Sequence, residues 1–342
     1  MVNKKNKNSL EEQPVYENKA NQEFPIVGIG ASAGGLEAFK VLLERLPVDS
    51  GLAFVIIQHL AAGQKSMLTS ILSRFTKMPV LQVTDGMPVK PNHVYVIPPG
   101  ATMTLEHGIL KLIPKGKSLK PIDAFLSSLA AECKTQSIGI VLSGTGTDGT
   151  LGLKVIKVEG GITFAQNPES AQYPDMPQSA ILAEAVDFVL PPDQIAEELV
   201  KIAKHPQLVR AEIEKAIETK PRKETGFGAI FVMLKSAFGI DFSHYKETFI
   251  QRRLKRRMVI NNIEKLRDYI DYLRKHPNEL QAFFGDMLIG VTSFFREPNT
   301  FSMLKENVFP EIVKDRSGKQ PIRVWIAGCS TGEEAYSFAI TQ

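Results

Sequence analysis

Residues 27–35 read V-G-I-G-A-S-A-G-G, and this stretch decides the fold of the first half of the chain. An apolar run passes through glycines into a segment with helical periodicity, which is typical of a buried strand followed by a tight turn and a helix. Ser32 lies in that turn, so we expect its hydroxyl at the carboxyl end of the strand and near the N-terminus of the helix. Backbone N–H groups and the helix dipole favour negative charge there. Ser32 is therefore a candidate nucleophile.

The same alternation of short apolar runs and amphipathic helical stretches continues outward from this turn. Repeated alternation of this kind predicts an α/β fold with a doubly wound, mostly parallel sheet. A hairpin is predicted over residues 101–113, turning at His107 and Gly108. The other predicted strands and helices fall at residues 24–29, 35–45, 52–58, 66–75, 80–83, 93–97, 122–133, 137–142, 150–159 and 161–165.

The second half of the chain has a different pattern. Residues 226–307 have helical periodicity almost throughout, with Met, Phe and Leu on one face, which predicts a small all-α domain. Residues 322–327 then predict a strand that leads into G-C-S-T-G-E-E-A-Y and a last helix.

Composition narrows the class of protein. A length of 342 residues with 43% hydrophobic content predicts two domains. The net charge of +4 gives no overall nucleic-acid signature, so no nucleic-acid partner is predicted. Cys133 and Cys329 lie far apart, which argues against a disulfide framework and favours the cytoplasm. The histidines show no paired spacing suited to a metal, so no metal site is predicted.

Residues 1–24 are rich in Asn, Lys, Glu and Gln and lack the apolar centre of a signal peptide, so we expect a disordered tail. No apolar run in the sequence approaches the roughly 20 residues that span a bilayer. We therefore predict no direct membrane insertion.

Two later residues match what a nucleophilic serine needs. His59 directly follows the predicted strand at 52–58, and Asp148 lies in the loop after the predicted strand at 137–142. Because the carboxyl ends of parallel strands meet at one edge, we expect Ser32, His59 and Asp148 to converge there. A histidine takes the serine proton, and a carboxylate holds that histidine in the required tautomer.

The loop around Asp148 reads S-G-T-G-T-D-G. Its glycines let backbone N–H groups approach a reacting oxygen, which is what an oxyanion hole requires. We predict that Ala33, Thr145 and Gly146 line the substrate and oxyanion side of the site.

A dinucleotide-dependent oxidoreductase is an alternative, because Gly28, Gly30 and Gly34 resemble a phosphate-binding loop. Such a fold needs an acidic residue near the end of the second strand to hold the ribose. Gln58 and His59 occupy that place. The second strand therefore favours the hydrolase over the oxidoreductase.

The segments V-G-I-G-A-S-A-G-G, F-V-I-I-Q-H and G-I-V-L-S-G-T-G-T-D-G-T-L-G, in this order, resemble the catalytic domain of the chemotaxis protein-glutamate methylesterases (CheB) over residues 25–192. The resemblance implies a triad of Ser32, His59 and Asp148. It implies hydrolysis of glutamate methyl esters on receptor helices, and for some members deamidation of glutamine. The implied partners are methyl-accepting chemotaxis receptors or related sensory proteins, and no cofactor is implied.

Two departures from that family are visible. Members commonly have methionine three residues before the triad aspartate, where this chain has Thr145, so we expect altered substrate packing or oxyanion geometry. The family also carries an N-terminal phosphoacceptor receiver domain, which 24 polar residues cannot form. We therefore expect regulation to come from elsewhere.

Residues 225–342 resemble the chemotaxis receptor methyltransferases (CheR), through G-I-D-F-S-H-Y-K-E-T-F-I-Q-R-R-L-K-R-R-M, L-I-G-V-T-S-F-F-R-E and V-W-I-A-G-C-S-T-G-E-E-A-Y-S. The resemblance implies S-adenosylmethionine as cofactor of this region. Gly290 stands where many relatives have asparagine. Because the sequence stops soon after the first strand and loop of the binding fold, we expect an incomplete cofactor pocket, no transferase activity and a last segment that is frayed or depends on a neighbour. The implied cofactor-contacting residues are Thr292, Arg296, Gly328 and Glu334.

Basic residues are concentrated in residues 251–257. A solvated helix face is one interpretation. Nucleic-acid binding is less favoured because no aromatic residues alternate with the charges. In the resembling family this helix faces the acidic methylation region of receptors, which implies docking onto a Glu-rich coiled coil. The residues implied in docking are Arg252, Arg253, Arg256 and Arg257.

The sequence therefore predicts a methylesterase domain fused to the beginning of a methyltransferase. A catalytically silent module that holds receptor helices stays open as a rival, although the presence of all three triad residues argues against it. The predicted division is a tail at 1–24, the esterase at 25–200, a charged helical linker at 201–224, a helical domain at 225–307 and the start of a cofactor-binding domain at 308–342.

Overall fold

A computed structural model describes residues 24–59, 67–114, 120–204, 227–288, 294–295, 298–314, 322–329 and 332–341. The predicted tail, apart from Phe24, and the part of the predicted linker from 205 onward lie outside the described residues. Residues 201–204 of that linker belong to the end of a helix.

A seven-stranded sheet forms the centre of the first half of the chain. Its order is β10-β9-β8-β1-β2-β5-β3, and each neighbouring pair is parallel. The predicted doubly wound parallel sheet is thus confirmed. The strands in chain order are β1 Ile26–Ala31, β2 Ala53–Gln58, β3 Val80–Gln82, β4 Met87–Pro88, β5 Val94–Val96, β6 Ala101–Glu106, β7 Ile109–Pro114, β8 Ser137–Val141, β9 Ile162–Gln166 and β10 Phe188–Leu190.

A small antiparallel sheet of order β4-β7-β6 lies outside the parallel sheet. Strands β6 and β7 form the predicted hairpin, in which His107 and Gly108 have φ angles of 52° and 73°. Two successive left-handed residues match the twist of a tight hairpin. Helix α3 packs beneath this hairpin, and Leu105 accordingly donates its backbone N–H to the hydroxyl of Ser128 in that helix at 3.0 Å.

Helices cover both faces of the parallel sheet, because right-handed crossovers run in opposite directions from the central strands. Helices α1, α2 and α6 pack on one face through residues such as Phe39, Leu72 and Leu199. Helices α3, α4 and α5 pack on the other face through residues such as Leu126 and Ile156. The six helices are α1 Gly35–Arg45, α2 Leu68–Leu72, α3 Pro121–Cys133, α4 Thr150–Glu159, α5 Asp175–Leu182 and α6 Pro192–Lys204.

The glycines of β1 serve close packing. A Cβ added at Gly28 would lie 2.7 Å from Leu126 of α3, and one at Gly30 would overlap the side chain of Ile122. Both glycines therefore let α3 approach the central strand. Close packing against α3 therefore explains why glycine is present at positions 28 and 30, two of the three glycines that resembled a phosphate-binding loop.

We expect Gly30→Ala to destabilise the parallel-sheet domain by about 2 kcal/mol, because the new methyl group overpacks the contact with Ile122. Calorimetry should show the transition of this domain lowered by about 4–8 °C. Gly285→Ala is the matched control, since nothing lies within 4 Å of a Cβ added there. An unchanged transition for Gly30→Ala would contradict the proposed role of the glycine.

A second core lies among four helices of the CheR-like half. Its buried residues include Ile230, Leu254, Tyr269 and Phe283. Within this core the carboxylate of Glu279 accepts hydrogen bonds from Arg257 Nε and from the Tyr269 hydroxyl, each at 2.8 Å. The helices are α7 Phe227–Phe238, α8 Glu247–Ile260, α9 Leu266–Lys275 and α10 Pro277–Leu288.

The last part of the chain is described in shorter pieces. Helix α11 spans Pro298–Met303 and continues through a π-helical turn, Leu304–Val308, into α12, Phe309–Val313, and α13 spans Glu333–Thr341. The predicted strand at 322–327 is irregular in the structure, and Trp325 is 93% exposed. A strand needs ladder hydrogen bonds from a neighbour, and no described strand pairs with this segment. The strand prediction was therefore wrong for the described residues.

Across the described ranges, no helix has both the length and the apolar composition needed to cross a membrane.

Candidate active site

Three adjacent strands at the centre of the sheet, β8, β1 and β2, end at one edge. In the register of β1 with β2, Ala31 lies beside Gln58, so the next residues, Ser32 and His59, are neighbours at that edge. The His59 backbone N–H donates to the Ala31 carbonyl at 3.4 Å. The Ser32 backbone N–H donates to the Ser143 carbonyl at 3.0 Å, beyond the end of β8. The turn after β1 is thereby fixed to both neighbouring strands.

The turn that carries Ser32 requires a glycine. Gly34 caps α1 with a φ of 74°, in the left-handed region. A Cβ at Gly34 would lie 2.6 Å from the Ser143 hydroxyl oxygen and 2.9 Å from the side chain of Gln172. The Gly35 backbone N–H closes the turn by donating to the Ser32 carbonyl at 3.1 Å. The turn therefore places Ser32 three residues before the first residue of α1.

His59 and Asp148 are joined directly. His59 Nε2 lies 2.8 Å from Asp148 Oδ2, although the two residues are far apart in sequence. The carboxylate also accepts the backbone N–H groups of Ile122 at 3.1 Å and Asp123 at 2.9 Å. These donors belong to the first turn of α3, where the helix dipole favours a negative charge. The Asp148 carboxylate is thus held in place beside the imidazole.

This contact indicates which ring nitrogen of His59 carries the proton. A carboxylate accepts a hydrogen bond, so Nε2 of neutral His59 carries the proton and donates to Asp148. The lone pair is then on Nδ1, which is the ring nitrogen left to accept a proton. No hydrogen bond joins the Ser32 hydroxyl to this ring in the part of the chain that the structure describes. Catalytic hydrogen bonds are often long until substrate binds.

Ser143 organises the site and was not identified from the sequence. Its buried hydroxyl donates to the Ala33 carbonyl at 2.9 Å and accepts the Tyr173 backbone N–H at 3.0 Å. Its own backbone N–H donates to the side chain of Gln166 at 2.8 Å. Ser143 therefore links the turn of Ser32 to the loop before α5. The only sequence signal was its place at the start of S-G-T-G-T-D-G, which equally fits a turn residue.

Of the predicted oxyanion residues, Ala33 lies in the turn of Ser32, and Thr145 and Gly146 lie in the loop after β8. Thr145 and Gly146 are exposed, and Ala33 is half-buried. Gly146 has a φ of 86°, a conformation that favours glycine. Within the described ranges, the backbone N–H groups of all three residues donate to no protein acceptor. They are therefore free to donate to a substrate oxygen, and their role in an oxyanion hole stays a prediction.

Asp123 is a second group that the sequence did not single out. Its carboxylate Oδ1 accepts the backbone N–H of Gly152 at 2.8 Å, which ties the first turn of α3 to the first turn of α4. Burial raises the pKa of Asp123 and the negative charge of Asp148 adds to the rise, against the opposing effect of the Gly152 hydrogen bond. The position in the first turn of a helix is ordinary for aspartate, so the sequence carried no distinctive signal.

The predicted cofactor contacts are only partly described. Thr292 and Arg296 lie outside the described residues. Gly328 has a φ of 70°, and Glu334 is in the first turn of α13. Because two of these four residues lie outside the described ranges, their contact with S-adenosylmethionine stays a prediction. The described ranges also contain no group of three or more His, Cys, Asp or Glu placed to hold a metal.

The predicted receptor-docking face needs correction. Arg253 and Arg256 are each 2% exposed, and Arg256 pairs with Asp187 and Asp286. These side chains are buried because α8 packs its basic side against carboxylates and carbonyls of the parallel-sheet domain and of α10. Arg253 and Arg256 therefore do not form the expected exposed surface, whereas Arg252 and Arg257 are half-buried and pair with Glu159 and Glu279.

Matches to known families follow the same division of the chain. Residues 27–199 match the CheB methylesterase family. Residues 225–288 match the all-alpha domain of CheR methyltransferases, and residues 290–342 match the CheR SAM-binding domain.

Individual relatives agree with these matches. An uncharacterized 104.1 kDa protein of Rhodobacter capsulatus is 36% identical over 300 residues, or 80% of this chain, and the chain spans only 31% of that protein. A putative protein-glutamate methylesterase/protein-glutamine glutaminase of Leptospira interrogans is 32% identical over 52% of this chain and 95% of its own length. The crystal structure of the Thermotoga maritima CheB methylesterase catalytic domain matches with a TM-score of 0.50 and 30% identity, covering 52% of this chain and 98% of that one.

The fold and these matches define an α/β hydrolytic domain joined to a methyltransferase region. The chain belongs to the CheB methylesterase family. Neither the oxidoreductase nor the silent module is favoured by these findings.

Proposed function

We propose that this chain hydrolyses methyl esters of glutamate side chains on helical receptor proteins, with Ser32 as nucleophile, His59 as general base and acid, and Asp148 as the group that orients His59. The observation that carries the proposal is the 2.8 Å hydrogen bond from His59 Nε2 to Asp148 Oδ2, beside the turn that presents Ser32. The family match supports the reaction class.

In the first half of the reaction, the Ser32 proton passes to His59 Nδ1 while the serine oxygen bonds to the ester carbonyl carbon. The carbonyl oxygen becomes an oxyanion, which free N–H groups of the turn and of the loop after β8 stabilise. The C–O bond to the methoxy group then breaks. The departing oxygen takes the proton from Nδ1 and leaves as methanol, so a glutamyl ester of Ser32 remains.

The second half removes the glutamyl group by the same steps with water. His59 Nδ1 takes a proton from the attacking water, and the bond to the Ser32 oxygen breaks as that oxygen regains the proton. The products are a glutamic acid side chain, which then loses its proton to solvent, and the free enzyme. A glutamine side chain would follow the same route with ammonia leaving, and the name of the Leptospira relative, which includes protein-glutamine glutaminase, supports it as a second substrate.

The methyltransferase region is matched to a SAM-binding domain, which supports S-adenosylmethionine as its cofactor. When bound, this cofactor supplies a methyl group for transfer to a carboxylate. We propose methyl-accepting chemotaxis receptors or related sensory proteins as the partners of both halves. We also propose a cytoplasmic location, supported by the free cysteines Cys133 and Cys329.

The test is methanol release from a receptor fragment that carries glutamate γ-methyl esters. We expect one methanol for each ester lost, without added S-adenosylmethionine, because the esterase steps use only Ser32, His59 and Asp148. Mass spectrometry of a reaction quenched in acid should detect the glutamyl ester on the peptide that contains Ser32.

The same fragment with glutamine at the methylation positions reports ammonia release separately. If a chain with a native circular-dichroism spectrum released methanol no faster than buffer, the proposed function would fail.

A further inference from the structure

Helix α8 of the helical domain lies against the esterase domain. Arg252 pairs with Glu159 at 3.2 Å, and Arg253 donates to the Lys157 carbonyl at 2.8 Å. Glu159 is the last residue of α4, and Lys157 lies in its last turn. Carbonyls at the C-terminus of a helix lack partners within the helix and carry partial negative charge, so cations are favoured there.

Arg256 is the centre of this contact. Its side chain is 0% exposed and pairs with Asp187 of the esterase domain and with Asp286 of α10. Its Nε also donates to the Gly161 carbonyl at 3.0 Å. Burial by itself lowers the pKa of Arg256, but the carboxylates of Asp187 and Asp286 outweigh it and raise the pKa. The guanidinium thus stays charged while it joins both domains.

Apolar packing supports the same contact independently. Val259 of α8 packs against the core between the parallel sheet and the helices α1, α2 and α6. The same side chain also packs against the core of the helical domain. The backbone is close as well, since a Cβ added at Gly160 would lie 3.5 Å from Arg252. The two cores are therefore continuous through α8.

The contact lies at the opposite end of the sheet from the candidate triad. Gly161 and Asp187 each come immediately before a strand, β9 and β10, so they mark the amino ends of parallel strands. Ser32 and His59 follow β1 and β2 and mark the carboxyl ends. Among the described residues, the contact that holds the helical domain is therefore at the edge of the sheet opposite to Ser32 and His59.

We propose that α8 is a clamp, formed by Arg252, Arg253 and Arg256, that binds the esterase domain within the same chain and keeps its basic side away from carboxylate-rich polypeptides. Within the described residues, the clamp arginines pair with the carboxylates of Glu159, Asp187 and Asp286. An acidic polypeptide that bound these arginines would have to displace Glu159 and Asp187. The closed clamp and the bound acidic partner therefore exclude each other.

The first test measures the accessibility of each arginine in the full-length chain by phenylglyoxal modification and mass spectrometry. In the wild type, Arg256 should react at least about tenfold more slowly than Arg274, whose side chain is 54% exposed. Glu159→Arg places a positive charge opposite Arg252 without altering the sequence of α8. The repulsion should open the clamp and speed the reaction of Arg256 about tenfold. Adding Arg252→Glu to that variant reverses the pair and should restore protection.

The second test measures binding of a poly-L-glutamate peptide to the same proteins. The Glu159→Arg variant should bind it about tenfold more tightly than the wild type, because opening the clamp exposes the basic side. Glu197→Arg makes the same charge change on the exposed side of α6 and should bind like the wild type. Rapid modification of Arg256 in the wild type, or equal peptide affinity in the wild type and Glu159→Arg, would overturn the proposal.

Discussion

Replacing Ser32 by alanine is expected to lower kcat for methanol release by about 10⁴-fold or more, because the variant has no oxygen to form the glutamyl intermediate. The residual rate should come from substrate binding and from the oxyanion donors alone. KM should change little, since the hydroxyl contributes mainly to the reacting transition state. The measurement is steady-state methanol production from the methylated receptor fragment.

Ser73→Ala is the matched control for this substitution. Ser73 is exposed after α2, and its hydroxyl donates only to the Ser70 carbonyl within the described contacts. The control should retain wild-type activity. A Ser32→Ala protein with more than about a tenth of the wild-type rate would show that another group is the nucleophile.

Asp148→Asn should lower kcat by about 10³- to 10⁴-fold while leaving the fold intact. The asparagine side chain is similar in size, so it can still accept a backbone N–H of α3 through its oxygen. Its amide group, however, donates to His59 Nε2 and stabilises the tautomer with the proton on Nδ1. That tautomer has no lone pair on Nδ1 to accept the Ser32 proton, so activation of the serine is lost.

Asp49→Asn serves as the comparison because Asp49 is exposed in the loop before β2, at the amino end of the sheet. Both proteins should have wild-type circular dichroism, and only Asp148→Asn should lose activity. If Asp148→Asn kept full activity, the orienting role of the carboxylate would be refuted, whatever the result for Ser32.

Much of the parallel sheet could be predicted because its signals are local. Strand β1 is a short apolar run that ends in a glycine turn, and α1 has a regular apolar face through Phe39 and Leu42. The irregular segment at residues 322–327 shows the limit of such signals. Its apolar residues fit a strand, but a strand forms only where another strand supplies backbone hydrogen bonds.

The meeting of His59 with Asp148 could also be predicted, because parallel strands bring their carboxyl ends to one edge whatever lies between them in sequence. Ser143 and Asp123 could not be identified in the same way. Their side chains act on backbone groups of other loops, and such partners depend on the packing of α3, α4 and α5 rather than on a spacing. The candidate reacting groups could thus be predicted better than the groups that hold them in place.

The basic residues of α8 show a different limit of prediction from sequence. Charge spacing on a helix indicates which side is basic, but not whether that side meets water, another protein or another domain of the chain. Only the folded arrangement places Arg256 between Asp187 and Asp286. The resemblance to a family whose basic helix faces receptors therefore predicted exposure where the structure has burial.

Helix α4 connects two distant parts of the molecule. It begins at Thr150, two residues after Asp148, and ends at Glu159, which pairs with Arg252. Its length is about 15 Å, and a helix this short is stiff along its axis. It therefore links the junction with the helical domain directly to the carboxylate that we propose orients His59, through a single short element of the chain.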